Sequence, residues 1–297
     1  MTETITLVTS PDIDPLPELS AAGRSAALLD PCRYDDWDDA FDTWPDVDDY
    51  LLKPGDYRPW GPCITDGRNS AGRRRLIRFV DPAVRPWERM SSEAVTAGFD
   101  FRAGAAHWVV HGVTVRGPLQ SETIVRREAE HITFDSLLLE NIGTYGVRLA
   151  GNHCTVQNCV IRWTAPNSDG VAVQIKVQRA PNVGNRVLDN EIYDCNDGVG
   201  VTWDQNGEDP FMECVGLLVE GNDIYLTEIR RTDDGAYGLA ENGIDVRQAP
   251  ARRRTRSDSS ATASGASADR RRAPEADPSV PPSPSTGRRN GSCSPRT

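Results

Sequence analysis

Between His107 and Arg247 the chain alternates short apolar runs with Gly, Asn and Asp, and five of these runs can be laid over one another. They are VVHGVTV (109–115), TFDSLLL (133–139), TVQNCVI (155–161), VLDNEIY (187–193) and VEGNDIY (219–225), spaced by 24, 22, 32 and 32 residues. A second element follows the later runs: GVRL (146–149), GVAVQIK (170–176), GVGVTWD (198–204) and GIDVR (243–247). Each opens with Gly and alternates apolar with polar or small residues, the period of a strand with one buried face. A unit of two short strands cannot bury its apolar side alone and must stack on its neighbours. No helical period competes, so the pattern predicts an all-β fold, a right-handed parallel β-helix (solenoid).

Upstream, DYLLKPGDYRPWG reads as strand, Pro-Gly turn and strand, and RRRLIRFVDP as a further strand ended by proline. Three regions follow: an acidic, irregular N-terminal segment (1–47), the β-helix domain (48–247) and an Arg/Ser/Pro/Ala-rich tail (248–297). From Ala251 the tail holds ten Arg, four acidic residues, no aromatic residue and Val280 as its one large aliphatic side chain. Such a stretch cannot offset its ordering entropy by burial and is expected to be disordered. The chain has 31 Arg against two Lys, Lys53 and Lys176. That bias fits a GC-rich coding sequence, and a tail of this composition fits a frameshift. The last strand, ENGIDVR, therefore reads as the edge of a truncated solenoid, because a parallel coil needs its final rung covered.

Charge divides at the same boundary. The whole chain carries 33 basic and 44 acidic residues, so removing the tail leaves 23 against 40, a net of −17 for residues 1–250. An acidic body excludes a phosphate-neutralising surface, so no nucleic-acid partner is expected. No segment approaches membrane-spanning length and no signal peptide is visible at MTETITLVTS, so no membrane partner is expected and the compartment stays open. The seven Cys form no CxxC pair; the first six could pair as disulfides in an exported protein. His107, His111, His131 and His153 are placed at strand starts and form no ligand cluster by spacing.

Asn158, Asn190 and Asn222 share one position of the aligned runs and are expected to form a structural ladder, their amides bonding along the coil axis. In the second element, counting from each Gly sends alternate residues outward. The outward columns read Arg148, Ala172, Gly200, Asp245; then Ala150, Gln174, Thr202, Arg247; then Asn152, Lys176, Asp204. Small residues at Ala172 and Gly200 are expected to leave a shallow groove between charged neighbours. Such a groove suits an extended acidic polysaccharide better than a small molecule, with Arg148, Gln174 and Asp204 as substrate-binding candidates. Glu241, Asn242 and Asp245 supply hard oxygen ligands suited to calcium, and Arg247 lies two residues beyond Asp245 on the same face.

The entry PGDYRPWG, the run HWVVHGVTVRG and the repeated Asn-containing and DGV-type elements resemble the pectate-lyase-like superfamily over about residues 50 to 247. The ENGIDVR set resembles its calcium-dependent polysaccharide lyases, especially the chondroitinase-B and alginate-lyase group. That resemblance implies calcium at Glu241, Asn242 and Asp245, proton abstraction from a uronate by Arg247 or Lys176, a monomer, and a secreted or cell-surface setting. NSDG (167–170) resembles the NTDG element of polygalacturonases, which implies a hydrolase with Asp169 as acid and Asp194, Asp197 or Asp204 as its partner. A non-enzymatic carbohydrate-binding or structural β-helix is the third expectation, since one fold hosts all three.

Overall fold

The computed structural model describes residues 25–65, 74–81, 85–88, 93–117, 122–164, 170–178, 181–203, 213–227 and 242–247, with only the backbone of Arg247 included. The tail expected from residue 248 lies outside them. Among the described residues no helix is long and apolar enough to cross a membrane.

Three parallel sheets carry the fold. The first stacks β1 (Ala26–Leu29), β2 (Asp49–Leu52), β5 (Arg75–Phe79), β8 (Trp108–His111), β11 (Thr133–Asp135), β14 (Thr155–Gln157), β18 (Arg186–Leu188) and β22 (Leu218–Glu220). The second stacks β3 (Gly55–Asp56), β6 (Ala94–Thr96), β9 (Thr114–Arg116), β12 (Leu138–Ile142), β15 (Val160–Thr164), β19 (Glu191–Tyr193) and β23 (Asp223–Tyr225). The third stacks β4 (Cys63–Thr65), β7 (Phe99–Phe101), β10 (Thr123–Val125), β13 (Tyr145–Leu149), β16 (Val171–Val177), β20 (Asp197–Trp203) and β24 (Asn242–Arg247). A short side ladder pairs β17 (Asn182–Val183) with β21 (Cys214–Val215). The chain visits the three sheets in rotation and so winds a parallel β-helix, seven strands deep in the second and third sheets. Each aligned run of the sequence is thus two strands and a corner, and each coil has three strands rather than two.

The corners explain the alignment. Gly112, Ser136, Asn158, Asp189 and Gly221 turn from the first sheet to the second with φ between 51° and 70°. There the backbone N–H of Asn158 still donates to Leu188 of the next coil, and that of Asp189 to Glu220. Asn158 therefore belongs with Asp189 and Gly221, not with Asn190 and Asn222, because the pairing of Gln157 with Leu188 places Asn190 opposite Cys159. The expected ladder holds for two of its three members. Asn190 accepts from the Cys159 N–H (3.0 Å) and donates to the Val156 carbonyl (3.0 Å) and to Asn222 (2.8 Å). Asn158 instead donates to the Asp135 carboxylate at 2.8 Å.

Two regular elements fall in the segment expected to be irregular. Strand β1 is the first rung of the first sheet, and α1 (Trp37–Thr43) is capped by Asp36, whose side chain accepts from the Asp39 N–H. The acidic residues of α1 face water while Trp37 and Phe41 are buried against the coil. Trp37 stacks on Tyr57 (5.8 Å) and meets Trp60 edge-on (5.1 Å), and Phe41 meets Tyr50 at 4.8 Å. The core runs on from this aromatic group through Phe99, Phe101, Trp108 and Phe134 into aliphatic columns such as Val147, Val173 and Val199. In the last rung, Ile244 and Val246 are 58 % and 57 % exposed, whereas Val199 and Val201, their partners one coil earlier, are 0 % and 4 % exposed.

Asn190→Ala is expected to cost about 1–3 kcal/mol, because it strips a buried N–H of its acceptor. Asn158→Gly keeps the left-handed corner and loses only the bond to the Asp135 carboxylate, whereas Asn158→Ala also strains that corner and is expected to cost about 1 kcal/mol more. Denaturant unfolding of the three variants checks these differences, and equal losses in the two Asn158 variants would remove the distinction between corner and ladder.

Candidate functional site

The expected site lies on the outer side of the third sheet, where a bend in each strand decides what faces out. In β16 the consecutive residues Ala172 and Val173 both enter the core, so Val171 before them and Gln174 after them share the outer side. Alternation then resumes, with Ile175 and Val177 in the core and Lys176 outside. At the same level a side chain on Gly146 or Gly198 would meet the Ala172 carbonyl at 2.5 Å or the Gly243 carbonyl at 2.4 Å. The bend brings the next coil's backbone too close for a Cβ there.

Register revises the expected columns. Val147 pairs with Val173 and Arg148 with Gln174, because Gly170 precedes its strand whereas Gly146, Gly198 and Gly243 lie within theirs. Aligning on the leading Gly slips β16 by two residues. The rows are therefore Arg148, Gln174, Gly200, Asp245 and, one step on, Lys176, Thr202, Arg247. Arg148 and Lys176 come closer together than the sequence suggested, with Gln174 beside one and two residues from the other. The Arg148 guanidinium lies over the Tyr145 ring at 5.3 Å, across the bend. The expected gap is not open. Ala172 is in the core, and a Cβ on Gly200 would meet Val171 Cγ1 at 3.0 Å.

Gln174 is 4 % exposed, and its Oε1 has no hydrogen-bond partner among the described residues. Thr202 Oγ1, in the next row of the adjacent strand, is likewise buried without one. Sequence reasoning selected Gln174 by its column but had no signal for Thr202, which there looks like any outward threonine.

The calcium set lies only partly within the described residues. Glu241 lies outside the described residues, as does Asp204. The Asn242 amide donates to Asp197 at 3.2 Å, and Asp245 stands opposite Gly200. Among the described residues no group of three His, Cys, Asp or Glu side chains could hold a metal ion. Of the hydrolase set, Asp169 is outside the described residues, and Asp194 and Asp197 are buried and bonded. Asp194 accepts from both the backbone N–H and the hydroxyl of Thr227, and Asp197 from Asn242.

Two outer ladders went unread in the sequence. On the second sheet, Glu93, Arg116, Glu140 and Arg162 alternate in sign and are joined by ion pairs, and Arg162 continues to the Tyr193 hydroxyl at 2.8 Å. Its signal was available: Arg116, Glu140 and Arg162 each follow an aligned run directly. Trp163 sits at a corner beneath the Arg162 guanidinium at 4.4 Å. The second ladder joins His107, His131 and His153, whose rings stack at 4.8 and 5.0 Å, nearly parallel. All three occupy left-handed corners before strands of the first sheet. His111 ends β8 instead, 3.7 Å from Asp135.

None of the six described cysteines forms a disulfide, so the pairing considered from sequence is not formed. Burial pushes the Cys154 thiol up to about 12 and the Cys195 thiol to about 11, which leaves neither as a nucleophile. No family model, no curated protein and no solved structure matches the chain.

Partial burial, then the neighbouring imidazoles of His107 and His153, hold the His131 pKa below 6.5, against a smaller opposing pull from Glu130. The unfolded chain therefore takes up a proton first as pH falls. Stability is expected to be full above about 6.5 and to decline below it until His131 protonates in the folded state. His131→Asn, which tolerates the corner conformation, should flatten that decline in thermal melts between pH 7 and 5. An unchanged slope would show that the stack does not carry it.

Proposed function

We propose that the outer side of the third sheet binds an extended acidic polysaccharide and cleaves it by β-elimination, as in the pectate-lyase-like superfamily that the chain resembles. The observation that carries this reading is the register itself. It sets Arg148 beside Gln174, and Lys176 one outward position further, on a face of parallel strands about 4.8 Å apart. A polymer lying across the strands meets these groups at a spacing comparable with that of its sugar units.

In this reading Arg148, steadied by Tyr145, takes the uronate carboxylate. Neutralising that charge lets the α-carbon proton at C5 leave. Lys176 in its amine form removes the proton, the electron pair forms the C4–C5 double bond, and the C4–O bond breaks with its electrons passing to the leaving oxygen, which then takes up a proton. Arg247 shares the Lys176 row by backbone register and is the alternative base or a second carboxylate partner. Calcium, if held by Glu241, Asn242 and Asp245, would help neutralise the uronate carboxylate, and no step is routed through it.

The test is incubation with polygalacturonate, alginate and a glycosaminoglycan, with and without added calcium, while following the absorbance of an unsaturated uronate. Lys176→Met should lower turnover by at least about 100-fold with polymer binding kept, and Arg148→Ala should weaken binding. Absence of the absorbance with all three polymers would reject the lyase. Polymer retardation without cleavage would make the protein a binding module, and new reducing ends without the absorbance would make it a hydrolase.

A further inference from the structure

Of the buried side-chain polar atoms without a hydrogen-bond partner among the described residues, two lie next to each other within the candidate face. Gln174 Oε1 and Thr202 Oγ1 lie on adjacent strands, Gln174 opposite Gly200 and Thr202 two residues beyond that glycine. Strand spacing and rise put their backbones about 8 Å apart, within reach of one sugar ring from two sides. A buried acceptor left unpaired disfavours the folded state, and buried polar groups are nearly always bonded. Neither group supports the fold by any bond to a described residue.

Their chemistry differs from that of the flanking cations. A Gln Oε1 can only accept, so its missing partner must carry a hydrogen, and a carboxylate in that place would set acceptor against acceptor. A threonine hydroxyl both donates and accepts. Gly200 between them adds no side chain of its own, and Val171 closes the floor at that level.

We infer that Gln174 and Thr202 form a hydroxyl-recognition subsite, which binds a pair of adjacent free ring hydroxyls on the acidic polysaccharide while Arg148 takes its carboxylate and Lys176 stands at the reacting C5. One hydroxyl donates to Gln174 Oε1 and its neighbour exchanges a hydrogen bond with Thr202. This inference rests on the polysaccharide reading above and sharpens it: the polymer must have unsubstituted vicinal hydroxyls at this position. A polymer esterified there loses the donor that Gln174 needs and adds bulk against Val171.

The experiment uses the full chain and the near-isosteric variants Gln174→Met and Thr202→Val. Calorimetric melting of the free proteins is paired with affinity electrophoresis in polygalacturonate, alginate and hyaluronate, and in the O-acetylated form of whichever polymer the wild type binds. Both variants should melt at or above the wild-type temperature, since neither loses a bond. Each should bind the free polymer roughly tenfold more weakly, and wild type and variants should bind the acetylated polymer equally weakly. A clear fall in melting temperature would show that these groups support the fold, and wild-type affinity in both variants would show that they do not meet the ligand. Either result overturns the subsite while the polysaccharide reading stands. Failure of the wild type to bind any of the three polymers rejects that reading and the subsite with it.

Discussion

Every strand residue in this coil stands one strand spacing from its counterpart in the next turn, and that repeated contact constrains the whole structure. A column must hold side chains that can stack. Inside, the answer is Val on Val, as in Val147, Val173 and Val199. At one corner it is amide on amide, Asn190 on Asn222, each satisfying backbone groups of its neighbour as well. Outside, like charges at such spacing would repel, and the second sheet alternates Glu93, Arg116, Glu140 and Arg162. Where identical titratable groups do stack, as at His107, His131 and His153, the two flanking imidazoles disfavour charge on the central His131.

The same constraint places the candidate site. Arg148, Gln174 and Asp245 share a row only because β13, β16, β20 and β24 lie in register. Their shared bend, with two successive residues turned inward in β16, holds Tyr145 over Arg148 and Val171 over Gly200. A binding face built this way is rigid along the stack. At the other end of the coil, α1 closes the core with Trp37 and Phe41, so an acidic segment with few apolar residues still covers the first rungs.

Several features of the coil were legible in the chain. Runs such as VVHGVTV and TFDSLLL revealed the repeat, and alternation in the second element marked Val147, Val173 and Val199 as inward, but it also put Val171 inward, where the bend turns it out of the core. The amide ladder was legible at Asn190 and Asn222. It failed at Asn158 because a corner residue and a ladder residue are neighbours in sequence, and an insertion or deletion of one position between coils exchanges them. The slip at Gly170 has the same origin, since a glycine before a strand and a glycine inside one look alike. The histidine stack had a signal that went unused: His107, His131 and His153 each stand two residues before an aligned run, at the runs' own spacings of 24 and 22.

The sequence by itself determined that short strands must coil and stack, because the repeated apolar faces have no other way to leave water. It also determined which residue types are available outside the coil, among them Arg148, Gln174, Lys176 and Asp245. Only the tertiary structure decided which of these meet. Register between coils is set by backbone hydrogen bonds and by the bend at Gly146, Ala172 and Gly198, and a two-residue shift in it replaces every neighbour on the outer face.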